Sequence, residues 1–333
     1  MADLRLGDLP DQAARRWGDR EALSFEGRRW SHAEFAAEVD RVAKGLIGLG
    51  IAPGEHVAVW LDNRPEWLFL MYAIAKAGAV IVPLNTRYRA DDLAYALGQS
   101  DCATLIAAGH AGPVDYAALI AEARPNLDRL ILLGPSDLAN AISWEALIAG
   151  AEAIETVTLA DRAAAVRADD PMMILYTSGT TSSPKGAVHS HAGIRNTAAR
   201  ARLQGVTEAD VVMGYLPLFH IYGFSEVALT AVLTGARQVL MARFDADRAL
   251  DLAEAEGATI CQGFDVHWLD LLAAQQARPR RLNWHFGTFP TGTEAAAGIA
   301  GRVHQVFGPT FSGFGMTETW AFIACGAPGD TPE

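Results

Sequence analysis

The sequence YTSGTTSSPKG, residues 176–186, decides the reading of this chain. It follows Met172-Met173-Ile174-Leu175, a short apolar run that predicts a buried strand. The stretch combines the hydroxyls of Thr177, Ser178, Thr180, Thr181, Ser182 and Ser183 with Gly179, Gly186 and a single lysine, Lys185. A core-facing element would not be written this way. A segment that wraps a polyanion would be, because hydroxyls and freed backbone N–H groups donate to phosphate oxygens and Lys185 supplies a point charge. Gly179 and Gly186 allow backbone angles or close approaches that a Cβ would block, and Pro184 stiffens the turn before the lysine.

The stretch is not a Walker A loop. Counted from Gly179, that pattern needs Gly at 184 and Ser or Thr at 186, where this chain has Pro184 and Gly186. By composition alone a solvated Ser/Thr linker would serve equally well. The order of residues, however, closely resembles the phosphate-binding signature of the adenylate-forming superfamily, which includes acyl-CoA synthetases, luciferases and peptide-synthetase adenylation domains. Ser182 stands where that family usually has Gly.

Two further stretches carry chemistry. PLFHIYGF, residues 217–224, sets His220 among aromatics after a predicted strand. A lone histidine there reads equally as a silent core residue, but imidazole can also donate to an anion or stack as a plate. SGFGMTE, residues 312–318, has Gly313 and Gly315 spaced like half of a dinucleotide fingerprint, with Glu318 where the third glycine would fall. It resembles the superfamily's Tyr-Gly-x-Thr-Glu signature, with Phe314 for the usual Tyr. Thr291-Gly292-Thr293-Glu294 resembles, more weakly, the family's adenine loop.

The resemblance implies ATP, Mg²⁺ and coenzyme A as cofactor or co-substrates, and a role for each matching residue. Thr177, Ser178, Gly179, Thr180, Thr181 and Lys185 are expected at the β- and γ-phosphates. Thr291, Gly292, Thr293, Gly313, Phe314 and Gly315 are expected around the adenosine, Thr317 at the α-phosphate, and Glu318 on Mg²⁺. His220, Tyr222, Phe224, Phe289 and Met316 are expected to line the acid pocket, which Trp268 shortens. His220, Thr317, Glu318 and Lys185 are the expected catalytic set. The implied reaction turns a carboxylic acid into an acyl-adenylate and then a thioester, mainly through positioning and charge stabilisation.

At 333 residues the chain is long for one core, so two lobes are expected. A connector is expected near 140–170, where the sequence is rich in Ala and Glu. A net charge of −12 argues against nucleic acid as the main partner. The apolar region 68–84 is interrupted by Lys76, Gly78 and Pro83 and is too short to span a bilayer. Cys102, Cys261 and Cys325 lack any C-x-x-C pairing and read as buried free thiols. A cytoplasmic location follows as the expectation, and a homodimer is left open. His189 and His191 would share one face of a strand, with no further metal-ligand cluster beside them.

Short apolar strands alternate with helices along the chain: strands at 56–61, 79–83, 102–107, 130–133, 211–216, 238–241, 259–262 and 286–290, with helices between them. Ser31 and Glu34 suggest a capping box opening a helix to about residue 49. The pattern predicts an α/β fold with two stacked, largely parallel β-sheets flanked by helices, and the nucleotide in a groove between the lobes. The chain ends at Glu333, before the family's ribose-binding aspartate, hinge and small domain with its catalytic lysine. On the resemblance it is therefore expected to be a shortened form that binds nucleotide but makes thioester poorly. Two alternatives stay open: a nucleotide- or acyl-binding module without turnover, and an adenylation domain acting on an amino or aryl acid. A P-loop kinase is disfavoured by the failed Walker spacing, and an α/β-hydrolase by the absence of G-x-S-x-G.

Overall fold

Apolar runs without alternation belong in a sheet covered on both faces, and the strands Val80–Pro83 and Thr104–Ala108 are buried along their whole length. The computed structural model describes residues 4–111, 114–177, 184–290 and 294–326. The chain divides into two units, Met1–Arg16 with Ala33–Ile194 and Trp17–His32 with Arg195–Glu333.

The first unit holds a seven-stranded sheet in the order Lys185–Ser190, Pro171–Thr177, Val80–Pro83, His56–Trp60, Thr104–Ala108, Arg129–Leu133, Ile142–Ser143. All neighbours run parallel except the first two, which form an antiparallel edge pair. The helix Pro65–Lys76 is apolar all round and buried, as a central helix should be. Its charges sit at its two ends, Glu66 in the first turn and Lys76 in the last, and the buried Lys76 is neutralised by Asp11 and Asp40. Among the described residues no helix is long and apolar enough to cross a membrane.

The second unit holds an eight-stranded sheet in the order Ala321–Cys325, Thr310–Met316, Phe286–Pro290, Ile260–Gln262, Val211–Gly214, Arg237–Leu240, Glu21–Phe25, Arg28–Ser31. The inner strands are parallel, and both edges close with an antiparallel partner. The two mostly parallel, helix-flanked sheets are those the sequence pattern predicts.

Some local features differ from expectation. Segment 140–170 lies within the first unit; the chain passes between units after Arg16, His32 and Ile194. It forms the helices Trp144–Gly150 and Thr156–Ala165. Arg162 clamps the second helix to the carbonyls of Ala77 and Ile51, each at 3.0 Å. Gly45 also lets the helix His32–Gly48 approach the first closely; a Cβ there would fall 2.4 Å from the Leu147 carbonyl oxygen. The Ala- and Glu-rich composition reads as a tether, but these contacts make it packed structure.

The helix after the strand Thr104–Ala108 begins at Tyr116, because the Asp115 carboxylate accepts from the Ala118 N–H at 2.9 Å and caps it. The turn at 217–224 leads into a π-helix, Tyr222–Leu229, continued by the α-helix Thr230–Thr234. His191 lies past the end of its strand in a 3₁₀ turn, so it does not share a strand face with His189. Of the three thiols, Cys102 and Cys261 are buried and Cys325 only half-buried.

Candidate nucleotide and acid site

In the first unit the signature stretch is carried by the antiparallel edge pair. Tyr176 pairs with Gly186 and Thr177 with Lys185. Three contacts lock this base to the helix Ala90–Gln99 and its surroundings. The Tyr176 hydroxyl donates to the Ala96 carbonyl at 3.0 Å and also bonds the Gln99 side chain. The Tyr95 hydroxyl donates to the Pro184 carbonyl at 3.0 Å. Burial pushes the Tyr176 phenol up to about 12, so it stays a neutral donor. Gly186 is needed for close approach, since a Cβ would sit 2.8 Å from the Ile174 methyl. Lys185 is exposed at the end of its strand, and among the described residues no carboxylate pairs with it. Ser178, Gly179, Thr180 and Thr181 lie outside the described residues.

In the second unit, the strand Thr310–Met316 ends in the 3₁₀ turn Thr317–Thr319 and returns as Ala321–Cys325. The fingerprint-like spacing of Gly313 and Gly315 has a steric cause. A Cβ on Gly315 would lie 1.8 Å from the Ala321 carbonyl oxygen, and one on Gly313 would enter the Phe322 ring at 2.6 Å. The turn is closed by Thr319, whose hydroxyl accepts from the Met316 N–H and lies 3.1 Å from the Met316 carbonyl. The return requires Trp320 and Ala321 both at positive φ, +61° and +60°. Out of this turn project three exposed groups: the Phe314 ring, the Met316 side chain and the Glu318 carboxylate.

Among the described residues Glu318 has no ion-pair or hydrogen-bond partner, and no group of three or more His, Cys, Asp or Glu could hold a metal. One free, exposed carboxylate is what a hard divalent cation accepts when phosphate oxygens and water complete its shell, so the residues fit Mg²⁺ bound together with a nucleotide.

Around the expected acid pocket, the His220 ring meets Phe264 edge-on at 5.5 Å, and the Tyr222 ring meets Phe264 at 5.3 Å and Phe322 at 5.2 Å. The His220 ring is solvent-accessible yet crowded by its neighbours. That partial desolvation lowers its pKa, and Nδ1 accepts the Tyr222 N–H at 3.2 Å. Tyr222 and Phe224 are buried. The Tyr222 hydroxyl is committed to the Thr288 carbonyl and shares the Thr288 hydroxyl, while Phe224 packs edge-on against Trp320. Trp268 is fully buried, and its indole N–H donates to the Gly263 and Thr288 carbonyls, both at 3.2 Å. It fills the space over Gly287, where a Cβ would come within 2.6 Å of the indole. The Phe289 side chain and Thr291, Gly292 and Thr293 lie outside the described residues.

Sequence reasoning missed Phe264, Thr288, Arg200 and Glu226. Glu226 had a signal: a lone carboxylate inside the apolar run 221–232, which needs a buried partner. Phe264 had none, because only the fold brings it against His220 and Tyr222.

The family model described as AMP-binding enzyme matches residues 10–333. YngI of Bacillus subtilis (strain 168), an acyl-CoA synthetase by name, is 32% identical over 89% of this chain and 57% of its own length. The crotonobetaine/carnitine–CoA ligase of Salmonella typhi is 30% identical over 98% of this chain and 63% of its own. The chain thus spans about three-fifths of the length of these curated relatives. Among solved structures, the anthranilate CoA ligase AuaEII in complex with anthranoyl-AMP superposes with a TM-score of 0.86 at 22% identity, covering 98% of this chain and 62% of that one.

Proposed function

The chain belongs to the AMP-binding enzyme family, and from that premise we propose that it forms the nucleotide- and acid-binding part of a carboxylate–CoA ligase. An oxygen of the carboxylate attacks the α-phosphorus of ATP, the bond to the β-phosphate oxygen breaks, and pyrophosphate leaves. The sulfur of a thiol, coenzyme A in this reading, then attacks the acyl carbonyl carbon, and AMP leaves with the bonding electron pair. The carboxylate is a poor electrophile until its oxygen is tied to phosphate, which is why two displacements replace one.

The residues act mainly by placement and charge. Lys185 and the hydroxyls of Thr177, Ser178, Thr180 and Thr181 hold the β- and γ-phosphates. Thr291, Gly292, Thr293, Gly313, Phe314 and Gly315 surround the adenosine, with the Phe314 ring on the base, and Thr317 meets the α-phosphate. Glu318 holds Mg²⁺, which neutralises phosphate charge when bound. His220 faces the acid, and its lowered basicity favours a neutral imidazole that donates one hydrogen bond without trapping the carboxylate as an ion pair. The acid lies against Tyr222, Phe224, Phe289 and Met316.

The observation that carries the reading is the turn of Thr317–Thr319, which leaves Glu318 and Phe314 free and exposed on a backbone where Gly315 admits no Cβ. The aromatic enclosure around His220 and the buried Trp268 favour compact apolar or aryl acids over long chains. The anthranilate ligase's fold accords with that, and an aryl-acid adenylating enzyme is the second reading.

Calorimetry with Glu318→Gln and Lys185→Ala tests the assignment. Each should bind Mg·ATP at least about 10-fold more weakly while melting like the parent. Equal affinity in both variants would overturn it. ATP–pyrophosphate exchange across a panel of acids then tests the pocket, with aryl and compact apolar acids expected ahead of small hydrophilic amino acids.

A further inference from the structure

One buried ion pair in the second unit has no part in the chemistry above. Arg200, on the helix Ile194–Leu203, is 8% exposed, and Glu226, in the π-helix Tyr222–Leu229, is 2% exposed. The Arg200 Nε–H lies 3.1 and 3.2 Å from the two Glu226 oxygens, and Nη2 also reaches Oε1. A pair of this kind is poor evidence for stability alone, because apolar side chains of similar volume often do as well.

Apolar side chains could not supply the rest of what Arg200 donates. Nη1–H reaches the Phe322 carbonyl at 2.9 Å, and Nη2–H lies 3.4 Å from the Trp320 carbonyl. Both carbonyls lie just after the turn that bears Glu318. One belongs to Trp320 itself and the other follows Ala321, so they bracket the Ala321 end of two consecutive positive-φ residues, a backbone that side chains with a Cβ disfavour. Such a conformation persists only where its surroundings over-determine it. The same cluster supplies a further restraint: the Trp320 indole N–H donates to the Thr197 hydroxyl at 2.8 Å, and that hydroxyl is 2.6 Å from the Ser225 hydroxyl.

The network continues toward the acid pocket. The Gln262 amide donates to the Glu226 carbonyl at 2.7 Å, the Thr288 hydroxyl donates to the Gln262 side chain at 3.3 Å, and Thr288 shares its hydroxyl with Tyr222 at 2.6 Å. Buried polar chains of this kind stiffen what they connect when every member is satisfied.

We propose that Arg200, oriented by Glu226, is a positioning residue that holds the Thr317–Trp320 turn in its strained form and so aims the Glu318 carboxylate at the metal–phosphate site. The inference rests on the ligase reading for the role of Glu318, but not for the restraint on the turn. Without the guanidinium, the carbonyls of Trp320 and Phe322 lose their donor, the left-handed residues relax, and Glu318 samples directions that do not meet Mg²⁺.

The test is the double variant Arg200→Met/Glu226→Leu, which removes both charges and leaves neither unpaired. It should melt close to the parent. Amide exchange at residues 317–321, where the Trp320 N–H donates to the Thr317 carbonyl, should speed up at least about tenfold, and the Mg²⁺-dependent gain in ATP affinity should fall by a similar factor. ATP affinity without Mg²⁺ should not change. Parental exchange across 317–321 and a parental Mg²⁺ gain would overturn the proposal. If the double variant does not fold, Arg200→Lys decides. It keeps the charge facing Glu226 but cannot fork to two carbonyls, so the same selective loss is expected, and parental behaviour refutes the proposal. A parent with no Mg²⁺-dependent gain would refute the ligase reading, while amide exchange would still decide the restraint.

Discussion

Two antiparallel edge pairs, 171–190 in the first unit and 310–325 in the second, each carry a signature stretch, and they are held in different ways. The first is braced from its side by neutral groups: the hydroxyls of Tyr176 and Tyr95, and at its far end the neutral His191, whose Nδ1 accepts the Leu6 N–H at 3.0 Å. The second is held by permanent charge, the Arg200–Glu226 pair, and by glycines that admit no Cβ. On the proposed reading, a pair that offers Lys185 to phosphate needs only a sound base, whereas a pair that aims the Glu318 carboxylate through a strained turn needs that turn over-determined.

This contrast breaks most visibly at Arg200. Arg200→Met alone leaves Glu226 buried without its counter-charge and should cost about 3–5 kcal/mol in denaturant unfolding. A cost under about 1 kcal/mol would mean that water reaches Glu226 and that the pair holds little.

The glycines sharpen the comparison. Gly315→Ala collides with backbone and should cost about 3 kcal/mol, whereas Gly186→Ala meets side-chain atoms, chiefly the Ile174 Cγ2 methyl, and should cost about 1 kcal/mol. Equal costs would remove the distinction between a rigid mount and an adjustable base.

A third test uses acid. Burial, aided by the charge of Arg5, lowers His191 to about 4, against an ordinary value near 6.5. The unfolded chain therefore binds the proton first. The stability that the neutral ring contributes is complete above pH 6.5 and is lost as pH falls toward 4. Between pH 7.5 and 5 this one residue should account for about 2 kcal/mol of lost stability. His191→Gln keeps an acceptor for Leu6 and should flatten that slope by the same amount; an unchanged slope would show that the first pair's anchor does not titrate.

The smallest effect belongs to Lys185→Ala. It should change unfolding stability by less than about 0.5 kcal/mol, because the side chain is exposed. A larger loss would make Lys185 part of the brace rather than of the proposed phosphate site.

Much of the architecture was legible in one dimension, because apolar runs of strand length broken by helix-length segments leave few foldings other than parallel sheets under helices. The signature stretches were legible for a similar reason: hydroxyl, glycine, lysine and glutamate clustered in short order are local chemistry. The sequence could not show which helix braces Tyr176, that Phe264 faces His220, or that Arg200 lies beneath a turn more than a hundred residues away. It suggested a connector at 140–170, where contacts such as that of Gly45 with Leu147 make packed structure. It left Gly315 readable as a glycine beside the adenosine, although the Ala321 carbonyl is what forbids a side chain there. Periodicity and residue type determined the strands and the helices, and the resemblance of short stretches suggested the kinds of ligand. Only the tertiary structure decided which buried charge holds which backbone, because that depends on distances between residues the chain brings together late, and no local pattern encodes them.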